Sequence, residues 1–429
     1  MTQSRGVPAE SIALRDRDII YFSCVKWGPI KARPQQIAIQ LARDNRVLYV
    51  EPMLSVATRA ARGFESPFPR LDQVGDRLFV YRPLSFLPFS LRSPLANRIN
   101  KQLLRKSVQS VARGLGFSRP ILGVSHPQHE VLVGRFGEIF SFYDCHDNYG
   151  ALPDPRANPR VLAGMERRLL VKADHIFISS QALLEQMDGY REKCTLVRNG
   201  VIFSHFGNGA DHEGELPAEL RIIPPPIIGY VGTLGGWVDG EALRFLARSK
   251  PDWSIVLIGP VLDRGLSRTL SASRNIHLIG TRRYEDLPRF VHRFAVGLIP
   301  FTLNRLTRSI DPIKMYEYLA AGKPVVASDL PEVRRFGDLI SIYRSQEELV
   351  DLVETSLRES GEGAAVRRRL AAMENTWELR AAGMASALSR QFQKISESAG
   401  ETKHGLRVEG GKAHRDDGCQ CGSQPAPPL

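Results

Sequence analysis

The sequence predicts an α/β protein of two domains. Three observations carry this. Apolar runs of strand length alternate with helical periodicity along most of the chain, which is the pattern of parallel sheets covered by helices. The alternation breaks over residues 206–226, where glycine, acidic residues and Pro224-Pro-Pro226 intervene, and it restarts at Ile227. A chain of 429 residues also exceeds what one hydrophobic core usually holds. The divisions expected are a flexible start over 1–17, a first domain over 18–205, a linker over 206–226, a second domain over 227–375, a long helix over 376–395 and a disordered tail over 396–429.

Hydrophobic residues make up 43% of the chain and charged residues 24%, ordinary values for a globular protein. The five cysteines, Cys24, Cys145, Cys194, Cys419 and Cys421, are scattered and odd in number, which suggests a reducing compartment over a disulfide framework. Cys419-Gln-Cys421 has no second pair with which to complete a zinc site. Residues 1–17 hold no apolar run of signal-peptide length, and no apolar stretch is long enough to span a bilayer, so a cytoplasmic protein is expected. The net charge of +12 calls for an anionic partner. Nucleic acid is not expected, because zinc-finger spacing, RNA-binding aromatic motifs and a concentrated basic arm are all missing. An inner-leaflet surface and a phosphate-bearing ligand fit the charge better.

In the first domain, Asp18–Ser23 reads as a strand, Arg33–Ala42 as a helix with Ile37, Ala38 and Leu41 inward, and 46–52 as a second strand. Leu78-Phe-Val80 is a further strand, and Leu84–Leu91 is an apolar loop interrupted by Pro88. Pro94–Leu115 reads as a helix with Ile99, Leu103, Leu104, Val108 and Val111 inward and Arg98, Lys101 and Arg105 on another face. No acidic residue occurs between Arg92 and Arg119. A greasy loop beside a basic helix, over 84–113, is what a peripheral membrane protein shows, although a buried loop and a solvated helix read equally well. Strands are expected at Ile121–Ser125, leading to His126; at Phe140–Tyr143, leading to Asp144-Cys-His146-Asp147; and at 174–180. Polar groups at a strand's carboxyl end mark a site in such sheets. Asp144 and Asp147 could act on a substrate hydroxyl or only cap the loop. Trp27, on the loop after the first strand, could face a substrate or pad the loop.

The second domain opens with Ile227–Val231 and the glycine-rich loop Gly232-Thr233-Leu-Gly235-Gly236, which lets backbone amides approach a phosphate. Strands follow at 253–259, 275–281 and 295–301, with a helix over Tyr284–Phe290. The organising stretch is Ser309–Ser328. Asp311 suits an N-cap, Pro312 the first helical position, Gly322 the helix end, and Val325–Ala327 a buried strand. The helix start favours a phosphate through its free N–H groups and positive dipole end. Lys314 lies in the first turn with Glu317 on the same side. A cation for phosphate beside a carboxylate for ribose hydroxyls suits a nucleotide diphosphate.

Glu317-x-x-x-x-Gly322-Lys-Pro-Val-Val326, preceded by Pro312-x-Lys314, resembles the donor-site helix of retaining glycosyltransferases of GT-B fold, especially family 4 members of bacterial polysaccharide biosynthesis. The resemblance implies two Rossmann-like domains facing a central cleft, with an acceptor side in the first domain, a nucleotide-sugar donor side in the second, and the last helix crossing back onto the first. It implies that Glu317 contacts the ribose, that His126 contacts the donor sugar, and that Arg282 and Tyr284 flank the base. Asn304 and Thr307 would reach the sugar, while Trp27 and Arg33 would lie on the acceptor side. The family's first glutamate would fall at 309, where this chain has Ser309 on the donor side; either Asp311 or Lys314 would take up part of its contact, or the sugar would be held differently. Asp16-Arg-Asp18 matches the short motif of metal-dependent transferases but precedes a strand, so a metal-independent enzyme without cofactor is expected. The activity implied is transfer of a sugar from a nucleotide diphosphate to a saccharide or lipid-linked acceptor. Two alternatives remain at this point: a nucleotide-sugar epimerase on the same fold, and a noncatalytic nucleotide-sugar-binding protein.

Overall fold

The computed structural model describes residues 14–28, 30–55, 68–85, 92–152, 157–208, 216–359 and 361–408. The apolar loop expected over 84–91 lies outside them from 86 onward, as do Cys419 and Cys421.

The first sheet has eight strands in the order 194–196, 175–178, 140–145, 121–124, 18–22, 46–50, 78–82, 70–75. All neighbours are parallel except the last pair, Arg70–Gly75 with Leu78–Arg82. Sequence reading missed the edge strand Arg70–Gly75 because it is almost wholly exposed and polar, so no apolar alternation marks it. The second sheet is parallel throughout, with six strands in the order 276–280, 254–258, 227–231, 296–299, 325–328, 341–343. Both sheets carry apolar side chains on two faces, as parallel sheets covered by helices must. In the strand Asp18–Phe22, Ile20 and Phe22 enter one core, and Ile19 and Tyr21 the other.

That second core also contains Trp377, Met384 and Leu388 of the helix Trp377–Val408. The final helix therefore crosses from the second domain onto the first. Its entry is fixed by a close crossing of two chain segments. The Trp377 amide donates to the Val201 carbonyl at 3.0 Å, and a Cβ on Gly200 would lie 2.8 Å from the Asn375 carbonyl oxygen. The helix runs on to Val408, past the end expected near 395.

The helix Pro94–Gly114 forms where expected, capped by the Ser93 hydroxyl, which accepts from the Ala96 amide. Its inward face differs from the expected one. Ile99 and Leu103 are exposed, while Asn97, Asn100, Lys101, Leu104 and Val108 are buried. Helical spacing alone permits either stripe, and here the Gln128 carbonyl accepts from the inward Asn97 side-chain amide at 3.0 Å.

Candidate functional site

In each sheet, the first strand of the domain sits between a strand reached by going one way and a strand reached by going the other: 18–22 beside 121–124, and 227–231 beside 296–299. Such reversals open a crevice at the carboxyl ends of the strands. The chain leaves 227–231 through Gly232, whose φ of +151° is unfavourable for other residues. A Cβ there would lie 2.8 Å from Lys314 Cε and 2.9 Å from the Tyr230 hydroxyl.

Lys314 stands in the first turn of the helix Ile313–Ala320, its ammonium 5.2 Å from the Tyr230 ring centre and 4.9 Å from that of Phe301. Two aromatic faces compensate the charge in part. Burial still pushes Lys314 down to about 8, with Glu317 acting the other way. Burial pushes the Glu317 carboxyl up to about 7, opposed by Lys314. Among the described residues, no hydrogen bond or ion pair reaches the Lys314 ammonium or the Glu317 carboxylate. The helix thus presents a desolvated cation and a desolvated carboxylate, both waiting for a partner, behind a glycine loop.

The helix begins one residue later than expected. Pro312 is the N-cap, and no side chain caps the helix. The Asp311 carboxylate instead accepts from the Asn199 amide at 2.6 Å and from the Tyr316 hydroxyl. Burial and the nearby Glu332 push Asp311 up to about 6. Asp311 therefore ties the two domains together and is not open to a sugar. Ser309 and Thr307 are likewise buried: Ser309 donates to the Leu306 carbonyl at 2.8 Å, and Thr307 accepts from the Asn304 amide at 2.9 Å. Their hydroxyls are used in folding the loop 302–309, as is the Asn304 side-chain oxygen, which accepts from the Thr307 amide at 3.0 Å. The Thr233 carbonyl accepts from the Tyr230 hydroxyl at 3.0 Å, and Gly235 makes room for the Trp237 ring.

A cavity of about 310 Å³ lies between the domains, lined by Ala151 on one side and Gly236, Trp237, Asn304, Arg305 and Leu306 on the other. Arg305 and Trp237 were missed as site residues from sequence. The only signal was their position on loops already singled out. Arg282 is drawn away into an ion pair with Glu219 at 2.6 Å, and Tyr284 packs inside, its ring stacked on His205 at 4.6 Å.

On the first domain, Arg33 is not a surface residue. It is 2% exposed and grips Asp144 through Nε at 2.9 Å and Nη2 at 2.8 Å. Tyr21 donates to the other carboxylate oxygen at 2.8 Å. Burial would raise the Asp144 carboxyl, but Arg33, His146 and these hydrogen bonds hold it below its ordinary value. A carboxylate so fully engaged is a poor base, and sequence patterning could not reveal that its partner was Arg33. Arg33 also donates to the Val197 carbonyl at 2.7 Å and to Asn199 at 3.2 Å, so a buried polar chain runs from Asp144 to Asp311.

Asp147 is one-third exposed, with an oxygen 3.8 Å from His146 Nε2. His126 follows the strand 121–124, accepts from the Gln128 amide through Nδ1, and meets the Tyr149 ring edge-on at 4.5 Å. Trp27 is half-buried, packs edge-on against Tyr49 at 5.0 Å and carries the Lys31 ammonium over its ring at 4.7 Å. His126, Asp147 and Trp27 thus share the carboxyl-end surface of the first sheet. Asp16 and Asp18 are taken by Arg77 and Arg46.

A family model described as glycosyl transferases group 1 matches residues 225–358. A putative teichuronic acid biosynthesis glycosyltransferase of Bacillus subtilis, TuaH, is 28% identical over 229 residues, which is 51% of this chain and 57% of that protein's length. Sucrose-phosphate synthase of Thermosynechococcus elongatus superposes with a TM-score of 0.69 at 15% identity, covering 88% of this chain and 100% of that one. Anabaena HepE, in complex with UDP and glucose, superposes with a TM-score of 0.64 at 16% identity, covering 86% and 99%. The chain has the fold of the GT-B glycosyltransferases, and its residues 225–358 are similar to the group 1 glycosyl transferases.

Proposed function

We propose that this protein is a retaining glycosyltransferase that moves a sugar from a nucleotide diphosphate to an acceptor hydroxyl in cell-surface or exopolysaccharide biosynthesis. The observation that carries this is the Lys314–Glu317 pair behind Gly232, desolvated and without hydrogen-bonded partners among the described residues. A diphosphate at the helix start completes the Lys314 charge, and ribose hydroxyls satisfy Glu317. As the sugar departs, charge grows on the diphosphate, and a fixed ammonium and backbone amides stabilise it there without a resident metal. Arg305, on the wall of the cavity between the domains, adds a second cation. UDP and UDP-sugars in HepE make a uridine donor the first choice to test.

On the opposite wall, His126 contacts the sugar, and Asp147 is the better placed of the two carboxylates to orient the acceptor hydroxyl. Leu95, Ile99 and Leu103 form an exposed apolar stripe flanked by exposed Arg98 and Lys106. No described helix is long and apolar enough to cross a membrane. The stripe suits peripheral contact with an anionic bilayer on its cytoplasmic side. The test is turnover of radiolabelled UDP-, GDP- and ADP-sugars by the purified protein. Release of free sugar or transfer to an acceptor with one of them is expected. An epimer formed with no release points to the epimerase, and inertness toward all three points to a binding protein.

A further inference from the structure

A cavity of about 450 Å³ opens at the far end of the first sheet from the cleft, between the last two turns of the helix Pro94–Gly114 and the segments that lead into strands 121–124 and 140–145. Phe117, Arg119 and Pro120 all stand ahead of strand 121–124, so the cavity belongs to the amino ends of the strands. Trp27, His126 and Asp147 share the opposite, carboxyl end. The floor is apolar, made by Ile20, Ala112 and Pro120, and two rings wall it. Both rings are held from behind. Phe136 meets the Phe22 ring at 5.5 Å between centres, and the Arg46 guanidinium lies 4.9 Å over the Phe117 ring. Gln109 joins the two lips, donating through Nε2 to the Arg135 carbonyl at 2.7 Å.

Arg113 and Arg119 line the same cavity, and no carboxylate does. Arg113 uses only its Nε, which donates to the Gln109 carbonyl at 3.3 Å. Among the described residues, no hydrogen bond or ion pair reaches its Nη atoms or the Arg119 side chain. The acids that flank the cavity in the chain are engaged. Asp18 accepts from Arg46 at 2.7 Å and from the Ser118 amide at 2.7 Å, and Glu138 accepts from the Phe136 amide at 2.8 Å. Arg119 also holds φ at +47°, the left-handed region that a Cβ makes costly. Asp16, the other described non-glycine residue there, has the short polar side chain that tolerates it. At 119 the backbone alone favours glycine, yet the chain places a guanidinium there, at the rim of a cavity. Strain of this kind collects where a ligand is held.

We propose that this cavity binds a small organic anion, a phosphate or carboxylate carried on an apolar body the size of one or two rings. The Arg113 and Arg119 forks take the anion at the mouth, where planar guanidinium groups match its oxygens in pairs. Phe117, Phe136 and the floor take the apolar body. The site is separate from the cleft between the domains, and it stands whether or not the transferase reading does.

The experiment is a calorimetric titration of 1-naphthyl phosphate into the full chain, with saturating UDP present to occupy the cleft. 1-Naphthol, the same rings without the charge, is titrated beside it. The wild type is expected to bind the phosphate at a single site, at least tenfold or so more tightly than the naphthol. Arg119→Gly should remove most of that advantage, while the melting temperature holds, because glycine accepts the left-handed backbone at 119. Arg113→Met, at an exposed helix position, should lower the phosphate affinity in the same way. UDP alone should titrate identically into the wild type and both variants. No binding in the wild type, equal affinity for phosphate and naphthol, or full phosphate affinity retained in either variant overturns the proposal.

Discussion

A methyl group placed on Gly232 would lie 3.1 Å from the ammonium nitrogen of Lys314, although the two residues are far apart in sequence. The glycine loop and the helix start are thus built as one object. The backbone bends through a conformation only glycine tolerates, and the lysine fills the space that a side chain would have taken.

Gly232→Ala is expected to disturb that object without unfolding the domain. The new Cβ meets the Tyr230 hydroxyl and Lys314 Cε, and φ of +151° adds strain. The strain costs about 1–3 kcal/mol. Nucleotide affinity should fall at least tenfold or so, the equivalent of roughly 1.4 kcal/mol. The check is a UDP titration alongside a circular dichroism melt, which should show a retained cooperative transition.

Donor binding should depend on pH through Lys314. Burial lowers its pKa to about 8 in the free protein, and a diphosphate favours the charged form. Affinity is therefore full below that value and weakens as pH rises through it, approaching a tenfold loss per pH unit for one proton. A nucleotide diphosphate-sugar is the right probe, because its phosphates do not titrate in this window. Lys314→Met should bind weakly and lose the decline above pH 8 or so, leaving only the rise in affinity with pH as Glu317, raised to about 7 by burial and no longer held down by Lys314, ionises; a decline surviving in that variant would assign it to another group.

The Arg33–Asp144 pair predicts a stability effect ahead of a catalytic one. Asp144→Asn leaves a buried guanidinium without its charge partner. Breaking such a pair costs about 3–5 kcal/mol. The sign follows from the carboxyl's lowered pKa: the stability that Asp144 contributes is present above its unfolded value and is lost as pH falls through the folded one. A urea melt at neutral pH should show the loss, and the gap between wild type and variant should narrow in acid. A variant of unchanged stability but lost turnover would restore Asp144 as a base.

Trp377→Ala should loosen the crossing of the last helix onto the first domain. The indole is fully buried among Tyr21, Ile37 and Met384. Truncating it removes on the order of 3–5 kcal/mol. The melting temperature should drop, with protection of amides in 377–393 lost first in hydrogen exchange.

Much of this architecture was legible in the chain itself. Two parallel sheets, the glycine loop, and Lys314 and Glu317 on one turn all follow from local spacing, because strands buried on both faces and helix ends leave strong local marks. What was hidden depends on partners distant in sequence. Asp311 reads as an N-cap but bonds to Asn199, and Arg33 reads as an acceptor-side residue but is buried against Asp144. Ser309 and Thr307 looked like ligands but fold their own loop. Lys101 lay on the charged face of a basic helix by periodicity, yet it is the residue turned inward. A polar side chain reads the same whether it points to water, to a ligand or to a buried mate, so these residues needed the fold to be placed.

The most direct measurement is a calorimetric titration of UDP into the wild type and into Lys314→Met, at neutral pH. Binding in the wild type, weakened at least tenfold or so in the variant, is the predicted result, since a hydrogen bond to a charged group contributes about 1.5–3 kcal/mol. Equal affinity in the two proteins would mean that the diphosphate sits away from this helix, contradicting the placement of the donor.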